Sequence, residues 1–272
     1  MIAGADVLGR IVARTRERLQ EKKRLFPIER VLASAPTPGT RRPFARVLAD
    51  RRGVNVIAEF KRRSPSRGAI REDLHPVYVA QGYEIAGAAA LSVLTEEEFF
   101  GGSIVDLQEA RAATLLPTLR KDFIVDAYQV REAWIAGADA VLLIVAVLAD
   151  HELRQLHAAA TELGLEVLVE VHDGDELGRA LAAGARIVGV NNRDLHSLEV
   201  RLETSLELIE RIPDEVVAVS ESGLRCGGDV RRLRDAGFDA FLIGEHLMAA
   251  PDPGAALEAL LRDAGLVQPG SA

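Results

Sequence analysis

Three observations in the sequence predict an α/β fold: a closed (βα)8 barrel with an N-terminal helical extension. The first is a repeat. AGAAALSVL (86–94), AGADAVLLI (136–144), AGARIVGVN (183–191) and AGFDAFLIG (236–244) share one plan, a helix that stops at Ala-Gly followed at once by an apolar strand. Glycine ends helices because it accepts the left-handed backbone needed there, and self-similarity of this kind marks the fold itself. The second is spacing. The copies recur about every 50 residues, too far apart for one strand-helix unit. A further apolar strand precedes each copy: VIAEF (56–60), LLPTLR (115–120), LEVLVEV (165–171) and EVVAVSE (215–221). The third is that near-continuous apolar strands alternate with helices, the pattern of a parallel sheet covered on both faces. Eight units in 272 residues favour a closed TIM barrel, typically about 250 residues, over an open doubly wound sheet.

The elements follow in order. Asp6 is placed to cap a first helix, in which Val7, Leu8, Ile11, Val12 and Leu19 recur at helical spacing. The charged stretch RTRERLQEKKR reads as the solvated side of that helix. SAPTPGTRRP (34–43), with three prolines and a glycine, predicts a loop. FARVLAD (44–50) predicts one short helix before the first strand. Residues 1–50 thus form the extension and 54–265 the barrel, all within a single domain spanning 1–272. Helical patterns such as DELGRALAAG (175–184) and DVRRLRDAG (229–237) lie between the strands.

Composition narrows the function. A hydrophobic fraction of 48% with 27% charged residues places the chain among ordinary globular proteins. A net charge of -8 argues against a nucleic-acid partner, since such domains are usually basic. Any anionic ligand must therefore meet local positive charge. A single cysteine, Cys226, excludes an internal disulfide. The six histidines show no metal-ligand spacing, so no metal is expected. The longest apolar run, AVLLIVAVLA (140–149), is about half of what a membrane span needs. No secretory signal opens the chain, and a cytoplasmic protein without a membrane partner is expected.

Catalytic groups of such barrels lie at the carboxyl ends of the strands. Those ends carry Glu59 and Lys61 on the first strand, Lys121 just after the third and Glu170 on the fifth. Asn191 ends the sixth and Glu221-Ser222-Gly223 the seventh. Glu59 and Lys61 are two apart and so face the same side of an extended chain. Convergence at one mouth makes an acid–base site the better reading than a set of structural ion pairs, which contribute little stability when buried. In that mouth lysine and glutamate are expected to keep each other charged, while desolvation pushes both towards neutral pH. Arg62, Arg63 and Arg67 read as surface charge, with one of them available to draw in an anion. The loops after the last two strands, SESGLRCGGD (220–229) and IGEHLM (243–248), are the usual phosphate cradle. Gly223 and Gly244 allow close approach of backbone N–H groups there. Glu245 fits only if its carboxylate turns away.

Together, IAEFKRRSPSRG, ALSVLTEEEFFGGS, LRKDFIVDAYQV, VLVEVHD, GVNNRDL, SESGL and LIGEHLM resemble indole-3-glycerol-phosphate synthases, from about residue 54 to the C-terminal helix. The helical N-terminal extension resembles the family in kind. The resemblance implies a phosphorylated small-molecule substrate, 1-(2-carboxyphenylamino)-1-deoxyribulose 5-phosphate. It also implies a decarboxylating ring closure without cofactor, in a monomer. It implies catalytic roles for Glu59, Lys61, Lys121, Glu170, Asn191 and Ser222, with Lys121 the general acid and Glu170 the base. Ser64, Arg193, Gly223, Gly244 and the backbone of Glu245 would bind substrate. Rival readings are another phosphate-sugar barrel enzyme, an isomerase or a Schiff-base aldolase, or a non-catalytic phosphate-binding barrel.

Overall fold

The apolar segments become eight parallel strands: β1 (Asn55–Phe60), β2 (Ala90–Leu94), β3 (Thr118–Lys121), β4 (Ala140–Ile144), β5 (Glu166–Val171), β6 (Ile187–Asn191), β7 (Val217–Glu221) and β8 (Ala240–Ile243). Each pairs with the next in sequence, and β8 closes on β1, Asn55 opposite Ala240 and Ala58 opposite Ile243. The expected TIM barrel is therefore the observed one. This computed structural model describes residues 7–34, 39–50, 52–195 and 197–265, so the expected Asp6 cap lies outside the described residues.

Period two explains the layering. In β1, Ile57 joins an interior cluster with Ala90, Leu119, Ala140, Leu142, Leu168, Ile187, Val219 and Leu242. Its neighbours Val56, Ala58 and Phe60 face outwards, into a second cluster shared with the surrounding helices. Successive strand side chains point to opposite faces, so each strand is apolar on both sides for two different reasons.

The helices are α1 (Val7–Leu25), α2 (Ile28–Ser34), α3 (Phe44–Leu48), α4 (Pro76–Ala86), α5 (Ile104–Ala113), α6 (Ala127–Ala136), α7 (Asp150–Glu162), α8 (Gly174–Ala182), α9 (Glu203–Ile209), α10 (Gly227–Ala236), α11 (Glu245–Met248) and α12 (Pro253–Asp263). The Ala-Gly repeats end helices as expected: Gly87, Gly137, Gly184 and Gly237 all have positive φ. At the amino ends of the strands, Phe44 and Leu48 of α3 plug the interior. The Asn55 amide ties that plug down by donating to the carbonyls of Leu48, Asp50 and Asp239.

Two local expectations need correction, and one short helix had no sequence signal. β3 begins at Thr118, not Leu115: Pro117 has no N–H for the ladder, and Leu115 is highly exposed. The first helix ends at Leu25, next to the end of its charged stretch as expected, and α2 follows after Pro27 as a separate short helix that the pattern did not announce. The charged side of α1 is not simply solvated. Arg14 pairs with Glu98 (2.7 Å), Arg18 with Glu96 (3.5 Å) and Lys23 with Asp126 (2.5 Å), while Lys22 meets Glu132. Leu8 and Ile11, on the other face, join the interior cluster. α1 therefore lies over the loops after β2 and β3, with its apolar face turned into the barrel mouth.

Candidate active site

Continuing the inward period of each strand to its carboxyl end brings the polar residues together. Glu59 follows Ile57, Glu170 follows Leu168, Glu221 follows Val219, and Asn191 is the inward end of β6. They line a cavity of about 600 Å³, with Lys61, Lys121, Ser64, Arg193, Ser222, Gly223, Gly244 and Glu245 also on its wall. Every residue expected at the site thus reaches the same cavity. Its apolar wall is built from Leu8 and Ile11 of α1, Phe100, Phe123, Leu142 and Ile144.

Lys61 Nζ donates to Glu59 Oε1 (2.6 Å), and the Ser92 hydroxyl reaches Glu59 Oε2 (3.4 Å). Lys121 Nζ sits between two carboxylates, Glu170 Oε2 at 2.8 Å and Glu221 Oε2 at 3.1 Å. Asn191 Nδ2 donates to Glu170 Oε1 (3.0 Å), so Asn191 orients the carboxylate rather than only finishing a turn. Three nearly fully buried carboxylates thus face two ammonium groups.

For Lys121 and Glu170 the mutual charging outweighs desolvation, and the expected drift towards neutral pH is confined to Glu221. Burial works against the Lys121 charge, but Glu170, Glu221 and Glu59 outweigh it and hold Lys121 above the ordinary lysine range. Burial likewise opposes the Glu170 carboxylate, yet Lys121 and His172 keep its pKa below the usual value. The group near neutrality is Glu221. Burial raises it, Lys121 acts in the opposite direction, and Glu170 adds repulsion, leaving it at about 7. Two carboxylates sharing one lysine cannot both be fully compensated.

Directly after Glu221, β7 ends in an unusual turn. Ser222 has φ 67° and Gly223 φ 84°. A non-glycine residue held there stores on the order of 1–3 kcal/mol of strain, and Asn192 restrains it by donating to the carbonyls of Glu221 (3.0 Å) and Ser222 (3.1 Å). Both glycines of the cradle answer a steric need. A Cβ on Gly223 would lie 2.5 Å from Val200, and one on Gly244 2.3 Å from Glu59 Oε1. The Glu245 carboxylate is turned to Arg67 (3.2 Å) and Arg193 (3.4 Å), which removes the conflict foreseen for it. Arg193 also donates to the Leu198 carbonyl (3.1 Å). Arg62 and Arg63 are structural: the first pairs with Asp106 and the second donates to backbone carbonyls of the loop after β2.

Sequence reasoning missed several contributors. In the sequence Glu221 stands out only as part of a strand end, although its two-residue offset from Val219 points it inwards. Asn192, the second Asn of GVNNRDL, carries no sequence signal for the role it takes at the turn after β7. The loop from Arg62 to Ala69 contains a two-residue hairpin, Arg63–Ser64 against Gly68–Ala69. Arg120 is buried on the outer face of β3, bound by Asp122 and Glu132, where charge had no sequence signature. Among the described residues no cluster of His, Cys, Asp or Glu is arranged to hold a metal ion, and no helix is long and apolar enough to cross a membrane.

A closed parallel barrel whose carboxyl-end mouth gathers lysines and carboxylates beside a glycine-bearing turn and the start of a short helix has the layout of a TIM-barrel enzyme. The comparisons with known proteins narrow this. The family model "Indole-3-glycerol phosphate synthase" matches residues 8–260. Relatives of that name from Azoarcus sp. (strain BH72) and Polaromonas naphthalenivorans (strain CJ2) are 48% and 45% identical, each over 94% of this chain and covering 99% and 98% of their own lengths. The chain belongs to the indole-3-glycerol phosphate synthase family, whose members are decarboxylating carbon–carbon lyases of tryptophan biosynthesis acting on a phosphorylated small molecule. Solved structures share the fold alone. A mandelate oxidase matches with a TM-score of 0.59 at 21% identity over 78% of this chain and 72% of its own. An N-acetylmannosamine-6-phosphate 2-epimerase from Clostridium perfringens matches with 0.60 at 14%, over 78% and 93%.

Proposed function

We propose that this chain converts 1-(2-carboxyphenylamino)-1-deoxyribulose 5-phosphate into indole-3-glycerol phosphate, carbon dioxide and water, using its own side chains as acid and base. The observation that carries this reading is Lys121 held between Glu170 and Glu221 inside a cavity that also has an apolar wall. The apolar wall takes the benzene ring. The turn at Ser222 and Gly223 and the backbone at Gly244 and Glu245 take the phosphate, with Arg67 and Arg193 supplying local positive charge beyond Glu245. Ser64 contacts the substrate beside Lys61, and Arg193 is within reach of the substrate carboxylate once it leaves Glu245.

The chemistry follows from where charge develops. The ring carbon bearing the carboxylate attacks the ketone carbon, and the ketone oxygen becomes negative. Lys121, kept fully protonated by its carboxylate neighbours, stabilises that oxygen and gives it a proton. Carbon dioxide leaves, and its bonding pair restores the aromatic ring. The new hydroxyl then departs as water after protonation by Lys61 or Lys121, while Glu170 removes the proton that completes the pyrrole double bond. Glu221, near neutrality and 3.1 Å from Lys121 Nζ, returns the proton that Lys121 gave. Glu59 orients Lys61, and Asn191 orients Glu170.

The aldolase reading needs a neutral amine to form its Schiff base, whereas Lys121 donates to two carboxylates, Glu170 and Glu221. Cys226 is exposed at the start of α10, away from the inward strand ends that an isomerase would use. Cytoplasmic location and a monomeric state belong to the same proposal; sedimentation velocity at micromolar concentration tests the second. The direct test is to incubate the purified chain with the carboxyphenylamino-deoxyribulose phosphate, without cofactor, and follow indole fluorescence. Absence of product from a folded chain would reject the reading.

A further inference from the structure

Glu170 has a neighbour that the reaction as written does not use. Its Oε2 accepts from Lys121 (2.8 Å) and its Oε1 from Asn191 (3.0 Å). That same Oε1 lies 3.5 Å from Nε2 of His172. His172 is the first residue beyond β5, and the bend there brings its imidazole up to the Glu170 carboxylate. The ring is largely buried and its Nε2 has no hydrogen-bond partner. Nδ1 lies 3.0 Å from Glu176 Oε2, in the first turn of α8, and that oxygen also accepts the His172 backbone N–H (2.8 Å).

A buried ring nitrogen without a partner is costly. Here Glu170 Oε1, on the carboxylate assigned as the base, falls a few tenths of an ångström outside hydrogen-bond range. The groups acting on the ring are Glu170 on β5, Glu176 on α8 and Glu221 on β7, and Lys121 on β3 balances Glu170 and Glu221. Burial disfavours a charged imidazole, but the Glu176 hydrogen bond and the three carboxylates favour it and raise its proton affinity overall.

We propose that His172 is a positioning residue for the ring closure: its imidazolium, anchored by Glu176, keeps the Glu170 carboxylate ionised and aimed while an anionic substrate fills the cavity. The proposal rests on the reading of Glu170 as the base. The physical need is plain. A substrate with a carboxylate and a phosphate brings negative charge towards Glu170 and favours its protonated, inactive form. Lys121 is shared with Glu221 and is spent as the acid, so a second cation beside Glu170 preserves the base.

The test is the pH dependence of kcat in the full-length chain with His172→Gln, Glu176→Gln and Glu170→Gln. Losing a cation beside Glu170 raises its pKa, so the acid limb of kcat in His172→Gln should move up by roughly 0.5–1 pH unit, with KM changing less than about twofold. Glu176→Gln should move the limb the same way by a smaller amount. Ring NMR, assigned by the resonance lost in His172→Gln, should show His172 titrating above the ordinary value of about 6.5, and lower in Glu176→Gln. A merely structural histidine would lower Tm in these variants and leave the acid limb in place, and that result would overturn the proposal. Should His172→Gln fail to fold, the limb of Glu176→Gln and the ring titration decide. Glu170→Gln separates the two levels. If it keeps the wild-type acid limb, the base assignment falls and this proposal with it. If it loses the limb while His172→Gln leaves it unmoved, only the role of His172 falls.

Discussion

Lys121 is the side chain on which most of the chemistry depends, and its surroundings set the sign of each prediction. Between Glu170 and Glu221 it remains an ammonium, so Lys121→Ala removes both the acid and the charge that meets the oxyanion. Turnover should fall by about 10²-fold or more, read from steady-state kcat with the circular-dichroism spectrum unchanged; near-wild-type turnover would refute its role. Glu221 gives a test through stability. Unfolded, a glutamate titrates near 4.3, whereas burial holds Glu221 at about 7 in the folded chain. Between those values the folded state keeps a proton that the unfolded state has lost, so the fold loses stability as pH rises through that window. Glu221→Gln stays neutral throughout. Its Tm relative to wild type should therefore be higher at pH 8 than at pH 5, and a flat difference across that range would contradict the shifted carboxyl.

Among the elements, the close approach of β8 to β1 matters most. Gly244 follows β8, where an added Cβ would lie 2.3 Å from Glu59 Oε1 and 2.9 Å from its Cβ. Gly244→Ala must therefore push Glu59 off Lys61, although its own φ of -126° suits any residue. A misplacement approaching 1 Å at a catalytic group costs about 10²-fold, so kcat/KM should drop by that order while Tm falls far less than for a core cavity. Equal activity in the alanine variant would show that the Glu59–Lys61 geometry tolerates the shift. The glycine itself was legible from its place after the eighth strand. Its reason was not, because the conflict is with a residue from the other end of the chain. The same holds for α1: its helical spacing was readable, but the acidic loops that receive its basic face were not.

The barrel as a whole separates stability from chemistry. At the amino ends of the strands, Asp139 is fully buried and accepts from the backbone N–H of Arg42 (2.8 Å) and Thr118 (2.9 Å) and from Arg111 (3.1 Å). Asp139→Asn leaves Arg111 and one N–H without a full partner, at a cost of about 3 kcal/mol. Because this face lies opposite the mouth, kcat per folded molecule should be unchanged. Denaturant unfolding paired with activity normalised to folded protein checks both halves, and a loss of kcat would join the two ends in a way the architecture does not suggest.

The sequence alone determined the eight-strand plan, the end of each strand at which polar residues gather, and, through period two, which of them share a face with the interior. Those are local properties, set by alternation within a few residues and by helix-stopping glycines. Motif resemblance reached the family by the same short stretches. Only the tertiary structure decided which charges meet. Lys121 is bound to carboxylates 49 and 100 residues away, and the balance between burial and those partners sends Lys121 up, Glu170 down and Glu221 to neutrality. Coulomb energy depends on distance and local dielectric, and both quantities exist only after the barrel has closed.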